Sequence, residues 1–144
     1  MATKKNGLTK ADYEALAELR YALRQFLRFS ENAAADAGVT PQQHQAMLAI
    51  KGFPGRDQIT IGELAERLQI RHHSAVGLAD RLVADGQVQR VPDEKDRRQV
   101  HLALTKSGES VLEKLSAAHR EQLHRVGPEL SRLLGDLRGD GGSS

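Results

Sequence analysis

The chain has 144 residues, of which 39% are hydrophobic, 28% charged and 3% aromatic, enough for one compact domain or a domain with an arm, with a core of aliphatic side chains. Lys and Arg number 21 against 19 Asp and Glu, a net charge of +2, so any affinity for nucleic acid must come from where the charges sit rather than from their sum. The absence of cysteine excludes disulfides, thiolate-bound zinc and thiol redox switching; no apolar run nears the ~20 residues of a membrane span and Met1 to Gly7 has no signal-peptide core, so no membrane partner and a cytoplasmic location are expected.

Residues 1–7 read as a flexible tail. Thr9, with Asp12 three residues on, caps a long helix running to about Ala37, where Gly38 and Val39 form a glycine-plus-hydrophobic stop. Its apolar line is Tyr13, Leu16, Leu19, Leu23, Phe26 and Leu27, expected to be buried. The helix is longer than a small domain needs, so the excess reads as an arm docking on another chain. Arg20, Arg24 and Arg28 make a basic ridge; the ordinary reading is a solvated face, and the sharper one is contact with an anionic effector.

Thr40-Pro41-Gln42-Gln43 combines an N-cap, a first-turn proline and a capping-box glutamine, which starts a second helix. It is expected to bury Met47, Leu48 and Ile50 and to stop at Gly52. His44 lies on it, and a lone histidine there is more often packed than functional. Ile59 to Ile61 is a candidate short strand.

Thr60 and Glu63 form another capping box, opening a helix with Ile61, Leu64, Ala65 and Leu68 on one face. Gln69, Ile70 and Arg71 make the turn. The next helix places Ala75, Leu78, Ala79 and Leu82 inside and ends at Gly86. Two short helices so joined match a helix-turn-helix. The face left outside carries His73, Gly77, Asp80 and Ala84, flanked by Ser74, Val76 and Arg81. It is small or hydrogen-bonding near its start, as suits a helix presenting its N-terminus to bases in a major groove. Arg71, His72, His73 and Ser74 can donate to bases or phosphates, and Val76 can touch a thymine methyl. Gly77 is either a tolerated surface glycine or a point of close approach.

After Gly86 the period changes to two. Val88 and Val91 lead into Pro92, and Val100, Leu102 and Leu104 alternate with Gln99, His101 and Ala103. The tip between them, PDEKDRR, offers Lys95, Arg97 and Arg98 to phosphates or a narrow minor groove. Asp93, Glu94 and Asp96 nearly cancel that charge, and Asp96 reads as an internal partner orienting one of the arginines. A helix-turn-helix followed by such a hairpin is a winged helix-turn-helix, whose expected partner is double-stranded DNA.

These residues resemble the MarR family of bacterial and archaeal transcriptional regulators. Asp96-Arg97-Arg98-Gln99-Val100-His101-Leu102-Ala103-Leu104-Thr105, followed by Lys106-Ser107-Gly108, is similar to the family's D-x-R-x-x-x-L-x-L-T-x-x-G wing signature. Glu63 to Leu68 and Leu78 to Gly86 match its helix-turn-helix blocks. The turn entering the second of these helices is Arg71-His72-His73-Ser74, where the family usually carries small caps. The resemblance implies that Asp96 and Arg98 are the paired wing positions, with Arg98 in the minor groove. It also implies a small effector, commonly an aromatic acid, bound between DNA lobes and dimer arms, which places His44 and Met47 near the pocket; Arg20 and Arg24 of the basic ridge are the candidate contacts if that effector is anionic.

Thr105 caps a further helix with Val111, Leu112, Leu115, Ala118, Leu123 and Val126 as its stripe. Gly127-Pro128 is expected to break it, and Pro128 to open a last helix with Leu130, Leu133, Leu134 and Leu137 on one side. That leucine face exceeds what one short chain can cover, so a homodimer is expected. Residues 139–144 read as a second tail. His72 and His73 point about 100° apart, and His119 and His124 are five residues apart, so neither pair makes a helical metal site; no phosphate loop or nucleophile turn is present. Neither metal, cofactor nor enzyme activity is expected.

The expected fold is mainly α (α+β), a winged helix-turn-helix at 38–105 with long N- and C-terminal helices, 8–37 and 106–138, forming a dimerisation arm. The expected function is a ligand-responsive repressor on a pseudo-palindromic operator; the alternative is a winged-helix protein-interaction adaptor that does not bind DNA.

Overall fold

A computed structural model describes residues 7–137; the two expected tails, Gly7 apart, and residue 138 lie outside the described residues. The elements are α1 (Lys10–Asp36), α2 (Pro41–Lys51), β1 (Gln58–Ile59), α3 (Ile61–Leu68), α4 (His72–Ala84), β2 (Val88–Pro92), β3 (Val100–Leu104) and α5 (Lys106–Leu137). The architecture is the winged helix-turn-helix expected, mainly helical with one small sheet. The strands are antiparallel in the order β1-β3-β2.

Local chemistry sets most of the boundaries. Both capping boxes form: the Thr40 N–H donates to Gln43 Oε1 at 2.9 Å and the Gln43 N–H to Thr40 Oγ1 at 3.0 Å, and Thr60 with Glu63 repeats the pattern at 2.9 and 3.1 Å. α1 ends at Asp36 and the chain turns away at Gly38, whose φ of +83° lets the Val39 N–H reach back to the Ala34 carbonyl at 3.0 Å, and buried Val39 completes the stop. Gln69, a non-glycine residue at φ 55°, turns the chain from α3 into α4. Its strain of roughly 1 kcal/mol is offset by the Gln69 Nε2 bond to the Glu66 carbonyl at 2.9 Å.

The chain divides into two compact units, one of residues up to 32 with those from 118 onward, the other of residues 33–117. In the second unit Met47, Ile50, Ile59, Leu64, Leu78, Leu82, Val88 and Leu102 are completely enclosed, and Leu112 and Leu115 of α5 join them. The α3 and α4 stripes face this core as expected. Leu48 does not; it is 50% exposed, because a residue ~100° round the helix from Met47 leaves the inward line. Gln43 and His44 are buried instead.

The other unit contains the outer parts of α1 and α5. Of the expected buried line of α1, Tyr13, Leu16, Leu23 and Leu27 are exposed and only Leu19 and Phe26 are half-buried; helical spacing aligns apolar residues on one face, but only a packed neighbour buries them. Leu123 and Leu134 of α5 are likewise exposed, while Leu133 is buried. Gly127-Pro128 does not break the helix: α5 runs unbroken through Pro128 for 32 residues, about 48 Å. Proline crowds the preceding residue's Cβ, and Gly127 has none, which removes part of the cost.

The wing also departs from strict alternation. Val100 is exposed, where its partner is Pro92 at the far end of the hairpin, and Ala103 is buried because β1 covers it through Gln58. That third strand forms at Gln58–Ile59, two residues earlier than Ile61, since Thr60 already caps α3.

Glu63 serves both the cap and an ion pair with Arg56. Burial pushes its carboxyl up, but the bonds from the Thr60 N–H and the Arg56 guanidinium together hold it below the ordinary carboxylate range. A lowered folded-state pKa contributes stability above the unfolded value of about 4.3, lost as pH falls below it. Glu63→Gln is therefore expected to lower stability by about 0.5–1 kcal/mol at neutral pH. In urea titrations the difference from wild type should shrink towards zero as the pH drops below ~4.

Candidate nucleic-acid interface

The start of α4 is open. Arg71 is its N-cap and makes no side-chain bond to the helix, so the first-turn N–H groups keep their partial positive charge, an arrangement suited to a phosphate. Arg71, His72, His73 and Ser74 are all exposed, Val76 is 37% exposed and Gly77 half-buried. A Cβ added at Gly77 would meet only Arg81 Nη1, at 3.7 Å, an ordinary contact. Nothing in the chain's own packing requires glycine there.

Three contacts hold this helix against the elements around it. Gln43 Nε2 donates to Asp85 Oδ2 at 3.0 Å, tying the start of α2 to the C-cap of α4. The Thr105 hydroxyl donates to the Gly86 carbonyl at 2.6 Å and accepts from the Gly108 N–H at 3.0 Å. On the outer face Asp80 pairs with Arg90 of β2, so the one acid there is neutralised by the wing strand.

The wing tip is a set of nested bonds. Asp93 Oδ2 accepts the N–H groups of Lys95 at 2.9 Å and Asp96 at 2.7 Å, while the Asp93 N–H donates to the Gln99 carbonyl at 3.0 Å. Asp96 accepts Arg98 Nε at 3.0 Å and Nη2 at 3.2 Å, and the Arg98 N–H at 3.1 Å. The Asp96 N–H bond, ahead of that from Lys95 and the nearby His101, holds Asp93 below the usual carboxylate range; the Arg98 side chain, then its N–H, does the same for Asp96. Both acids therefore stay charged at neutral pH and both are engaged inside the turn. Arg98 is clamped at one edge while its side chain is 90% exposed, and Lys95 and Arg97 are exposed beside it.

The residues expected around an effector divide between the units. Arg20 and Arg24 are exposed on α1 in the first. In the second, His44 is 4% and Met47 0% exposed; Met47 belongs to the core, so a ligand touches it only if core side chains move. Among the described residues no three His, Cys, Asp or Glu groups cluster as a metal site, and no helix is long and apolar enough to cross a membrane.

Sequence reasoning missed the Asp80–Arg90 pair, the Gln43–Asp85 bond and the part played by Asp93 and His101. Only Asp93 carried a signal, an aspartate two and three residues before the N–H groups it accepts.

Comparison with known proteins agrees with this geometry. A family model described as MarR family matches residues 37–99. The chain is 31% identical to the transcriptional activatory protein BadR of Rhodopseudomonas palustris, over 97% of this chain and 79% of that one. It is 30% identical to the HTH-type transcriptional repressor MdtR of Bacillus subtilis, over 61% and 55%. Among solved structures, the transcriptional regulator Tm0710 of Thermotoga maritima superposes with a TM-score of 0.63 at 28% identity, covering 88% of this chain and 91% of that one.

Proposed function

Since the chain belongs to the MarR family and is a DNA-binding transcriptional regulator, we propose that it acts as a homodimer whose two α4 helices enter successive major grooves of a pseudo-palindromic duplex. The observation that carries this is the bare, donor-bearing start of α4 set beside a wing whose Arg98 is held at one edge and free at the other. Arg71 to Ser74, Val76 and Gly77 approach the bases, and Lys95, Arg97 and Arg98 hold the wing on the backbone or in the minor groove. The half-sites then lie about one helical turn apart, ~34 Å. The exposed Tyr13, Leu16, Leu23 and Leu27 of α1 and Leu134 of α5 supply the apolar surface for the second copy.

One relative is named an activator and another a repressor, so the sign of regulation is not set by family. Repression is the simpler proposal, because occupying a promoter needs no further protein surface. A small aromatic or anionic effector would act by binding two dimer states unequally, with Arg20, Arg24 and His44 as the groups to test first. Work on genomic duplex places the protein in the cytoplasm.

The test is a mobility-shift titration against the chain's own upstream DNA and a random duplex at ~50 and ~200 mM salt. Preference for the upstream DNA, with an affinity that falls steeply as salt rises, is the expected result. No shift of either duplex at the lower salt would make the protein the interaction adaptor instead.

A further inference from the structure

His101 of β3 is a largely buried titratable side chain that the proposed DNA contacts do not use. Both of its ring nitrogens are shut off from solvent and neither makes an aligned hydrogen bond among the described residues, yet Nε2 stands 3.3 Å from Asp93 Oδ1. Asp93 is the residue whose other oxygen gathers the Lys95 and Asp96 N–H groups. The histidine therefore lies under the carboxylate on which the tip is folded.

We propose that His101 and Asp93 are positioning residues for the wing: protonated His101 donates to Asp93, closes the turn that presents Lys95 and Arg98, and makes the wing's hold on DNA proton-dependent. A buried ring without an aligned partner is costly, and protonation makes both nitrogens donors, one of them facing a carboxylate. The charged and titratable groups on neighbouring elements are engaged elsewhere or exposed; α2, packed against β3, carries His44, which is buried, and Lys51, which pairs with Glu109. β1 carries none, and Asp57 before it lies 4.0 Å from Lys51. Arg90 of β2 is paired with Asp80, and Asp96 of the tip with Arg98. Glu94, Lys95 and Arg97 are exposed, and Lys106 lies beyond the strand at the start of α5. Asp93 is the carboxylate within reach of the ring. The latch is closed when the ring carries its second proton and open when it does not.

The inference rests on the DNA-binding reading, so its first test uses no DNA. Amide exchange at Lys95 and Asp96, corrected for its intrinsic pH dependence, should show protection rising from about pH 8 to about pH 6 in the full chain. In His101→Gln and in Asp93→Asn, which keeps the oxygen for the turn but loses the charge, that rise should vanish. The second arm measures anisotropy on a mixed-sequence duplex about three helical turns long. It uses a His72→Gln/His73→Gln background, which removes the two exposed histidines of α4 from the comparison. Affinity should be about twofold to fivefold higher at the lower pH, and Asp93→Asn should abolish the difference.

Wild-type protection that does not change with pH, or a rise that survives in His101→Gln, overturns the latch whether or not DNA binds. If Asp93→Asn keeps the pH dependence of affinity while His101→Gln loses it, the imidazolium acts on DNA directly and the latch is likewise overturned. Should His101→Gln fail to fold by circular dichroism, Asp93→Asn decides the question alone.

Discussion

Gly108→Ala is expected to lower stability by about 3 kcal/mol, which for a chain of this size is a fall in melting temperature of roughly 10 °C. Gly108 is buried in the first turn of α5, and a Cβ there would overlap the Gln87 carbonyl oxygen and stand 3.0 Å from its carbon. The obstacle is backbone, and it is pinned: the Gln87 carbonyl accepts the Thr105 N–H at 3.0 Å, while Thr105 bonds both Gly86 and Gly108 through its hydroxyl. No flexible side chain can move aside, so α5 must back away from the loop between α4 and β2. That shift opens the core at Leu112 and Leu115. Gly77→Ala is the matching control, because its Cβ meets only the end of Arg81; there the helix propensity gain of roughly 1 kcal/mol should raise the melting temperature. Thermal unfolding of the two variants decides the matter, and equal melting temperatures would mean that the α5 start is not the fixed point described.

The same residues show what was legible beforehand. A cap couples residues three apart and a helix stripe couples residues three and four apart, so Thr40 with Gln43, Thr60 with Glu63, and Ala75, Leu78, Ala79 and Leu82 could be read directly. Gly108 could be read only as part of a signature, because its reason is a carbonyl twenty-one positions earlier. The Asp80–Arg90 pair belongs to the same class, since each residue alone looks like surface charge. Pro128 misled for a different reason. A proline rule describes its own backbone cost, and in α5 the preceding Gly127 lightens that cost. The apolar line of α1 was legible as apolar, but pattern alone does not say what covers it, and Tyr13 and Leu23 remain open in a single chain. At the interface the positions of Arg71 to Ser74 and of the tip followed from helix and hairpin limits. The clamp of Asp96 on Arg98 was legible from their spacing and the turn, whereas Asp93 over His101 depended on the hairpin register.

Arg98→Ala is expected to weaken binding to the preferred duplex by about 1–3 kcal/mol, roughly 5- to 150-fold. The guanidinium is held by two bonds from one edge to Asp96 while the side chain stays 90% exposed, so its remaining donors are pre-set for a phosphate or for the floor of a narrow minor groove. Arg98→Lys keeps the charge but not the planar fork and should recover only part of the loss. The sharper variant is Asp96→Asn. It makes the wing more positive, so if the tip is only a cloud of charge, affinity must rise; if Asp96 works by aiming Arg98, affinity must fall, by about 1 kcal/mol of lost preorganisation. The slope of log affinity against log salt separates the modes further. Losing a phosphate contact lowers it by about 0.9, whereas losing a minor-groove contact costs most on the sequence that narrows the groove. Measured by anisotropy on preferred and random duplexes, an Arg98→Ala chain with wild-type affinity and wild-type salt slope would take the wing out of DNA recognition and leave α4 to act alone.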